Sequence, residues 1–272
     1  MNKVDPAQSV IHGTTRLYAI IGDPIAQVGS PRVFNPIIAR AGVDAVLVPL
    51  RVAAAELATA FAGIKALRNF HGLIATIPHK IPMLALMDTV LPRARLVGAV
   101  NAMRREADGR WTGDMFDGAG CVRGMKDAMG IEPRGRNVLL LGAGGAGKAV
   151  GCALAEAGAA RMTVFDTDRA RAEALVAVVA KAFPACQAAQ GAPDPRGHDL
   201  VVNCTPLGMK PGDRPPCDAG GLDASMAVVD IVVKDEPTAL RAAAEAKGCK
   251  TMSGIDMLRG QAMEISRFFG FV

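Results

Sequence analysis

From residue 137 onward, short apolar runs alternate with stretches whose apolar positions recur at helical spacing. The runs 137–141, 161–165, 184–188, 199–204, 226–232 and 249–252 read as six strands. Each is brief and almost wholly apolar, as a parallel strand covered on both faces must be. With helices between them, such as Ala146 to Ala157, they predict a doubly wound parallel sheet.

The first 117 residues carry their own alternation, with strands expected near 17–22, 45–51, 72–77 and 99–104 and helices near 31–41, 54–67 and 80–89. Ser30-Pro31 reads as an N-cap followed by proline at the first helical position, and Asn69 to His71 with Gly72 as a turn before a strand. Trp111 to Phe116 is expected to pair with 99–104 as a hairpin across Asp108-Gly109. The pattern divides the chain into an N-terminal α/β domain over 1–117 and a second over 118–254. The helical stretch Ile255 to Phe269 lies beyond the sixth strand, and the segment 255–272 is expected to return to the first domain.

The segment Asn137-Val-Leu-Leu-Leu-Gly-Ala-Gly-Gly-Ala-Gly-Lys148 sets Gly142, Gly144 and Gly147 in G-x-G-x-x-G spacing between a strand pattern and a helical one, with Gly145 in the same turn. Such a turn cradles a pyrophosphate. The first glycine makes the tight bend, the second lets the backbone approach the anion, and the third lets helix and strand pack closely. Arg161-Met-Thr-Val-Phe-Asp166 ends a strand-like run with an acid about twenty residues on, where a carboxylate can hold ribose hydroxyls. The C-terminal half is therefore expected to be a dinucleotide-binding Rossmann domain with strand order 3-2-1-4-5-6.

Composition narrows the function classes. At 272 residues the chain exceeds one ordinary core, which fits two domains. Half of its residues are apolar, yet no run is long enough to span a bilayer. The stretch Met1 to Val10 lacks a signal peptide's apolar core, so a cytoplasmic protein is expected. The net charge of +5 suits anionic small molecules and is not gathered into Lys or Arg runs, which argues against nucleic acid. Six cysteines show no C-x-x-C pair, and four histidines lack the i, i+4 spacing of a zinc helix. Neither structural disulfides nor a catalytic metal are expected. Composition leaves monomer and homodimer equally open.

Several polar residues stand in apolar or turn-like surroundings: Thr76 and Lys80 in Ile74-Ala-Thr-Ile-Pro-His-Lys80, Asn101 in Gly98-Ala-Val-Asn101, and Asp117 in Gly113-Asp-Met-Phe-Asp-Gly118. Singly, Lys80 is a solvated first-turn lysine and Asp117 a helix cap. Taken in order with Gly22-Asp-Pro-Ile-Ala, Ser30-Pro31, Gly142-Ala-Gly-Gly-Ala, Asn203-Cys-Thr-Pro-Leu-Gly-Met209 and Gly254-Ile-Asp-Met-Leu-Arg-Gly-Gln261, they resemble the shikimate dehydrogenase family over nearly the whole chain. The resemblance implies an N-terminal substrate domain and a C-terminal dinucleotide domain. It implies reversible reduction of 3-dehydroshikimate to shikimate with a nicotinamide cofactor, and relatives act on quinate. Lys80 and Asp117 would be the catalytic pair, and Ser30, Thr76, Asn101 and Gln261 would bind substrate oxygens. Gly142, Gly144, Gly145, Gly147, Asp166, Asn203, Thr205, Met209 and Gly254 would hold the cofactor.

The chain departs from the family pattern at five places. Val28 stands for a serine, Ile74 for an asparagine, Met115-Phe116 for Asn-Thr, and Val233 for a tyrosine. Losing a hydroxyl at 28 and a phenol at 233 makes the expected carboxylate-holding region more apolar and predicts weakened or altered choice of shikimate. Where NADP-dependent members have Asn-Arg-Thr, this chain has Asp166-Thr-Asp168. A carboxylate there accepts from ribose hydroxyls and repels a 2′-phosphate, which favours NAD over NADP; Arg169 and Arg171 nearby are the groups that could reverse this. A quinate or other ring-acid dehydrogenase, and a cofactor-binding regulator without turnover, are the competing readings.

Overall fold

The computed structural model describes residues 11–26 and 28–272, so the Met1–Val10 stretch read for a leader lies outside the described residues. Contacts divide the chain into two units, one comprising 1–116 with 262–272 and the other 117–261.

The first unit holds β1 (Arg16–Gly22), α1 (Ser30–Arg40), β2 (Ala45–Arg51), α2 (Leu57–Ala66), β3 (Phe70–Ala75), β4 (Thr89–Val90), α3 (Pro92–Val97), β5 (Ala102–Arg105) and β6 (Trp111–Asp114). They form a six-stranded sheet in the order β2-β1-β3-β5-β6-β4. β1 runs parallel to both β2 and β3, and β5 runs antiparallel to β3 and β6. The expected hairpin of β5 and β6 is thus present, with Arg105 opposite Trp111. Tyr18 and Ile20 of β1 and Phe34, Ile37 and Ile38 of α1 are buried with Ile265, Phe268, Phe269 and Phe271 in one core. The ring of Tyr18 meets Phe269 at 5.0 Å and Phe271 edge-on at 4.7 Å, the spacing at which aromatic pairs add to plain area burial. α1 is also tied to β2 by polar contacts, since Asn35 Nδ2 donates to the Leu47 carbonyl and Leu47 N–H donates to Asn35 Oδ1.

Three local expectations are corrected here. The helix expected over 80–89 is a short 3-10 turn at Pro82–Leu86 followed by β4. Asp88 N–H is taken by the Trp111 carbonyl and Thr89 pairs with Thr112 as the chain enters the sheet. Ser30 is not the cap of α1: Gly29 holds that position without a side-chain bond, and Ser30 is the first helical residue. The turn expected at 69–71 gives way to strand from Phe70, because Phe70 pairs in register with Leu17.

The second unit holds α4 (Asp117–Met129), β7 (Asn137–Leu141), α5 (Gly145–Glu156), β8 (Arg161–Phe165), α6 (Arg169–Ala182), β9 (Gln187–Gln190), β10 (Leu200–Asn203), β11 (Ala227–Asp230), α7 (Ala239–Ala246) and β12 (Lys250–Met252). α8 (Gly254–Phe269) begins in this unit, and its residues from Ala262 group with the first. The six strands are all parallel, in the order β12-β11-β10-β7-β8-β9. Numbered within the sheet, that is the expected 3-2-1-4-5-6. The mixed α/β architecture with a Rossmann-like parallel sheet matches the fold class read from the pattern.

β9 is shifted from the expected 184–188 to 187–190. Its register is set by β8, with Arg161 opposite Gln187. As an edge strand with only one partner it needs no apolar run, so Pro184 to Cys186 stay outside it. α8 opens with a reciprocal cap in which Ser253 Oγ donates to Asp256 Oδ2 at 2.7 Å and Asp256 N–H reaches back to Ser253 Oγ. No helix among the described residues is long and apolar enough to cross a membrane.

Candidate functional site

The glycine turn occupies the place where β7 gives way to α5. Gly142 has φ +93, a conformation that strongly favours glycine, and a Cβ there would lie 2.9 Å from the backbone of Cys204 and Thr205. A Cβ on Gly147 would collide with the Gly142 carbonyl oxygen. Gly144 and Gly145 differ, since a Cβ on either meets nothing within 4 Å. The first and last glycines thus serve the fold, and the middle two face open space. α5 is capped by Gly144 with no side-chain hydrogen bond, so no side chain of that cap covers its first N–H groups, and they suit an anion. These features fit a dinucleotide pyrophosphate.

Asp166 lies just past β8, and both its carboxylate oxygens are engaged by backbone. Its Oδ2 accepts Ala143 N–H at 2.7 Å and its Oδ1 accepts Asp168 N–H at 2.8 Å. Arg169 pairs with Glu173 at 3.0 Å and Arg171 with Asp168 at 3.1 Å.

Asn203, at the end of β10, is fully buried. Its Oδ1 accepts from the backbone N–H and hydroxyl of Thr205, and its Nδ2 donates to the Leu207 carbonyl and to Asp230 Oδ1. Asn203 and Thr205 therefore brace the loop that leads to Met209, whose side chain is exposed. A Cβ on Gly254 would lie 2.5 Å from the carbonyl oxygens of Ile231 and Val232, so this glycine lets α8 start against the loop after β11.

Asp230 is a site residue that sequence reasoning missed; its signal was an acid inside an otherwise apolar strand pattern. It is fully buried, accepts from Asn203, from Val232 N–H at 3.1 Å and from Thr238 Oγ1 at 2.6 Å, and so joins the loops after β10 and β11. Burial raises its pKa above the ordinary carboxylate value, with the three hydrogen bonds opposing. The folded chain accordingly favours the protonated form. The stability this group contributes is full below the unfolded-state pKa and is lost as pH rises through the raised folded value. Asp230→Asn, which can keep all three contacts by donating to Thr238 Oγ1, is expected to flatten that part of the profile from about pH 4 upward. Urea midpoints against pH for both proteins measure it, and parallel curves would contradict it.

Asp117 begins α4 and is 2% exposed. Gln261 Nε2 donates to its Oδ1 at 2.6 Å. The close approach depends on glycines, because a Cβ on Gly120 would lie 2.6 Å from Gln261 Cβ and one on Gly118 would strike the Ala149 carbonyl of α5. The structure thus joins Gln261 to Asp117. Neighbouring thiols are chemically quiet: burial pushes Cys121 up to about 12 and Cys204 well above its ordinary value, which leaves neither as a thiolate nucleophile.

In the first unit, Thr76 and Lys80 lie on the loop that leaves β3. Thr76 N–H donates to the Ile21 carbonyl, and His79 N–H donates back to the Thr76 carbonyl at 2.8 Å. Gly22 makes room for this loop, since a Cβ there would lie 2.5 Å from Thr76 Cγ2. The buried His79 ring reaches the Val52 carbonyl through Nε2 at 2.8 Å, a second anchor that sequence reasoning missed. Val100 N–H donates to the Lys80 carbonyl and Ala75 N–H to the Asn101 carbonyl, both at 2.9 Å, so Thr76, Lys80 and Asn101 come from adjoining segments. Ser30, at the start of α1, belongs to a separate element. Asn101 Oδ1 accepts Phe116 N–H at 2.8 Å, which orients the amide so that Nδ2 is the group turned away from that bond.

The departures from the family pattern sort by burial. Ile74, Met115 and Phe116 are core residues, with Phe116 5.2 Å from the Phe268 ring and beneath the Arg93 guanidinium at 4.7 Å. Arg93 also pairs with the buried Asp114 at 2.8 Å. Val28 is half-buried against the apolar core, whereas Val233 is 60% exposed.

Residues 20–103 match the family model described as the shikimate dehydrogenase substrate binding domain. The chain is 36% identical over 258 residues to the shikimate dehydrogenase (NADP(+)) of Geobacter metallireducens, covering 92% of this chain and 90% of that protein. Among solved structures it is similar to shikimate 5-dehydrogenase from Listeria monocytogenes in complex with shikimate and NAD, at TM-score 0.88 and 30% identity over 96% and 94% of the two chains. It is also similar to quinate dehydrogenase from Corynebacterium glutamicum in complex with NAD, at TM-score 0.85 and 31% identity over 95% and 94%. With that identity sustained over nine-tenths of its length, and with both the glycine turn and the Thr76–Lys80 loop in place, the chain belongs to the shikimate dehydrogenase family.

Proposed function

We propose that this chain is an oxidoreductase that reversibly reduces 3-dehydroshikimate, or a close cyclic hydroxy acid, with a nicotinamide cofactor. The observation that carries the reading is the glycine turn, whose outer glycines are locked into the fold while Gly144 and Gly145 leave room for a pyrophosphate. A nicotinamide supplies the hydride. Reduction puts negative charge on the ketone oxygen, and the Lys80 ammonium neutralises it and gives the proton. Asp117, held by Gln261, is the second catalytic residue and accepts from a neighbouring substrate hydroxyl. Ser30, Thr76 and Asn101 hold the other ring oxygens, and Gly142 to Gly147, Asp166, Asn203, Thr205, Met209 and Gly254 form the cofactor side.

NAD is the proposed cofactor, although the Geobacter relative is named for NADP(+). Asp166 brings negative charge to the end of β8, and Arg169 and Arg171, which could meet a 2′-phosphate, are each engaged by a carboxylate. Quinate is the second substrate reading, supported by the likeness to a quinate dehydrogenase, while Val28 and Val233 in place of polar family residues point to weakened or altered choice of shikimate. One hydrogen-bonding group lost from a site costs about 0.5–1.5 kcal/mol, and about 3 where a charge is involved, so shikimate affinity is expected to fall about tenfold. The test is a spectrophotometric comparison of kcat/KM for shikimate, quinate and simpler cyclic hydroxy acids with NAD and NADP. Turnover with none of them overturns the proposal. A KM for shikimate below about 100 μM overturns altered substrate choice, and a clear NADP preference overturns the reading of Asp166.

A further inference from the structure

We propose that Asp166 is a positioning residue for the phosphate cradle, holding the glycine turn in its binding shape independently of any contact with ribose. Two successive N–H groups of the turn are taken by the end of β8. Gly142 N–H donates to the Phe165 carbonyl at 2.7 Å, and Ala143 N–H donates to Asp166 Oδ2 at the same distance. The second bond is charge-assisted, the stronger class. The carboxylate is itself steadied, because Oδ1 accepts Asp168 N–H while Asp168 caps α6 through Ala170 N–H at 3.1 Å and holds Arg171. Ala143 is the link between Gly142, packed against the Cys204 backbone, and Gly144, which opens α5 onto free space. Where Ala143 points therefore sets where the N–H groups of the next residues point. Each carboxylate oxygen still has a second acceptor direction for ribose hydroxyls, so the two tasks do not compete.

This rests on the dinucleotide reading of the turn, and it carries its own consequence. An exchange at 166 meant to admit a 2′-phosphate also loosens the cradle, and affinity for both cofactors falls. The test uses the full chain and two probes, ADP and 2′,3′-dideoxy-ADP, titrated calorimetrically into wild type, Asp166→Ala and Asp166→Asn. The dideoxy probe has no hydroxyls for Asp166 to hold. Asp166→Ala is expected to weaken it about fivefold, the worth of roughly one hydrogen bond. Asp166→Asn, whose amide oxygen can still accept Ala143 N–H, is expected to recover most of the loss. Unchanged dideoxy-ADP affinity in Asp166→Ala overturns the proposal. Should wild type bind neither probe, the cofactor reading falls instead, and exchange of the Ala143 amide decides the positioning role. Faster exchange in Asp166→Ala than in wild type and Asp166→Asn supports it, and equal rates overturn it.

Discussion

Lys80→Ala is expected to lower kcat by about 10²–10⁴-fold, the scale on which a positioned acid or base acts, while the cofactor KM and the thermal midpoint stay near wild type. The separation follows from how the fold uses this residue. Its backbone carbonyl takes the Val100 N–H, and its half-exposed side chain is absent from the apolar core. Truncation leaves the loop's anchors intact, namely the bond from Thr76 N–H to Ile21, that from His79 N–H to Thr76, and the His79 ring on Val52. In the proposed reaction what is lost is a cation and its proton at a ketone oxygen that turns anionic as hydride arrives, an interaction stronger in the transition state than in the ground state. Steady-state kinetics with both substrates varied, beside a thermal melt, measure the split. Turnover near wild type would end the assignment of Lys80, and a large drop in midpoint would show that its role is structural.

The Rossmann-like half was legible because its signals are local. A parallel strand buried on both faces is a short apolar run wherever it occurs, and β7 and β8 fall where the runs 137–141 and 161–165 put them. The failures are places where a distant partner decides. Residues 80–89 have helical spacing, yet Asp88 is claimed by the Trp111 carbonyl and Thr89 by Thr112 across the sheet, pairings that no window around residue 85 contains. The edge strand β9 carries no apolar signature to be found. Within the site, motif spacing finds residues that meet ligands more readily than those that hold them. His79 and Asp114 satisfy backbone groups far along the chain, Val52 for His79 and Ala94 for Asp114, and Asp230 holds the side chain of Asn203, 27 residues away. Gln261 shows the same limit, because its bond to Asp117 spans 144 residues and exists only where Gly120 and Gly260 let α4 and α8 approach. Asp166 was visible as an acid at a strand end, but its grip on Ala143 was not.

The two kinds of glycine in the turn are expected to fail differently when each is given a methyl group. In Gly147→Ala the new Cβ meets the Gly142 carbonyl oxygen, a backbone atom of the turn itself. No flexible side chain is there to yield, so α5 must move from β7, at a cost of about 3 kcal/mol, the upper end for overpacking. The unfolding midpoint falls with or without cofactor, and cofactor affinity falls with it. In Gly144→Ala the Cβ enters open space, and with φ −67 and ψ −170 the backbone is one that alanine adopts without strain. The ligand-free stability therefore stays near wild type while cofactor affinity drops about tenfold or more, because the methyl group stands where the pyrophosphate must approach. Melting each variant with and without NADH separates the cases. Gly147→Ala starts low, whereas Gly144→Ala starts at the wild-type midpoint and loses the ligand-induced rise. If Gly144→Ala binds NADH as wild type does, the open space beside the turn is not where the phosphates sit, and the cradle has been placed on the wrong residues.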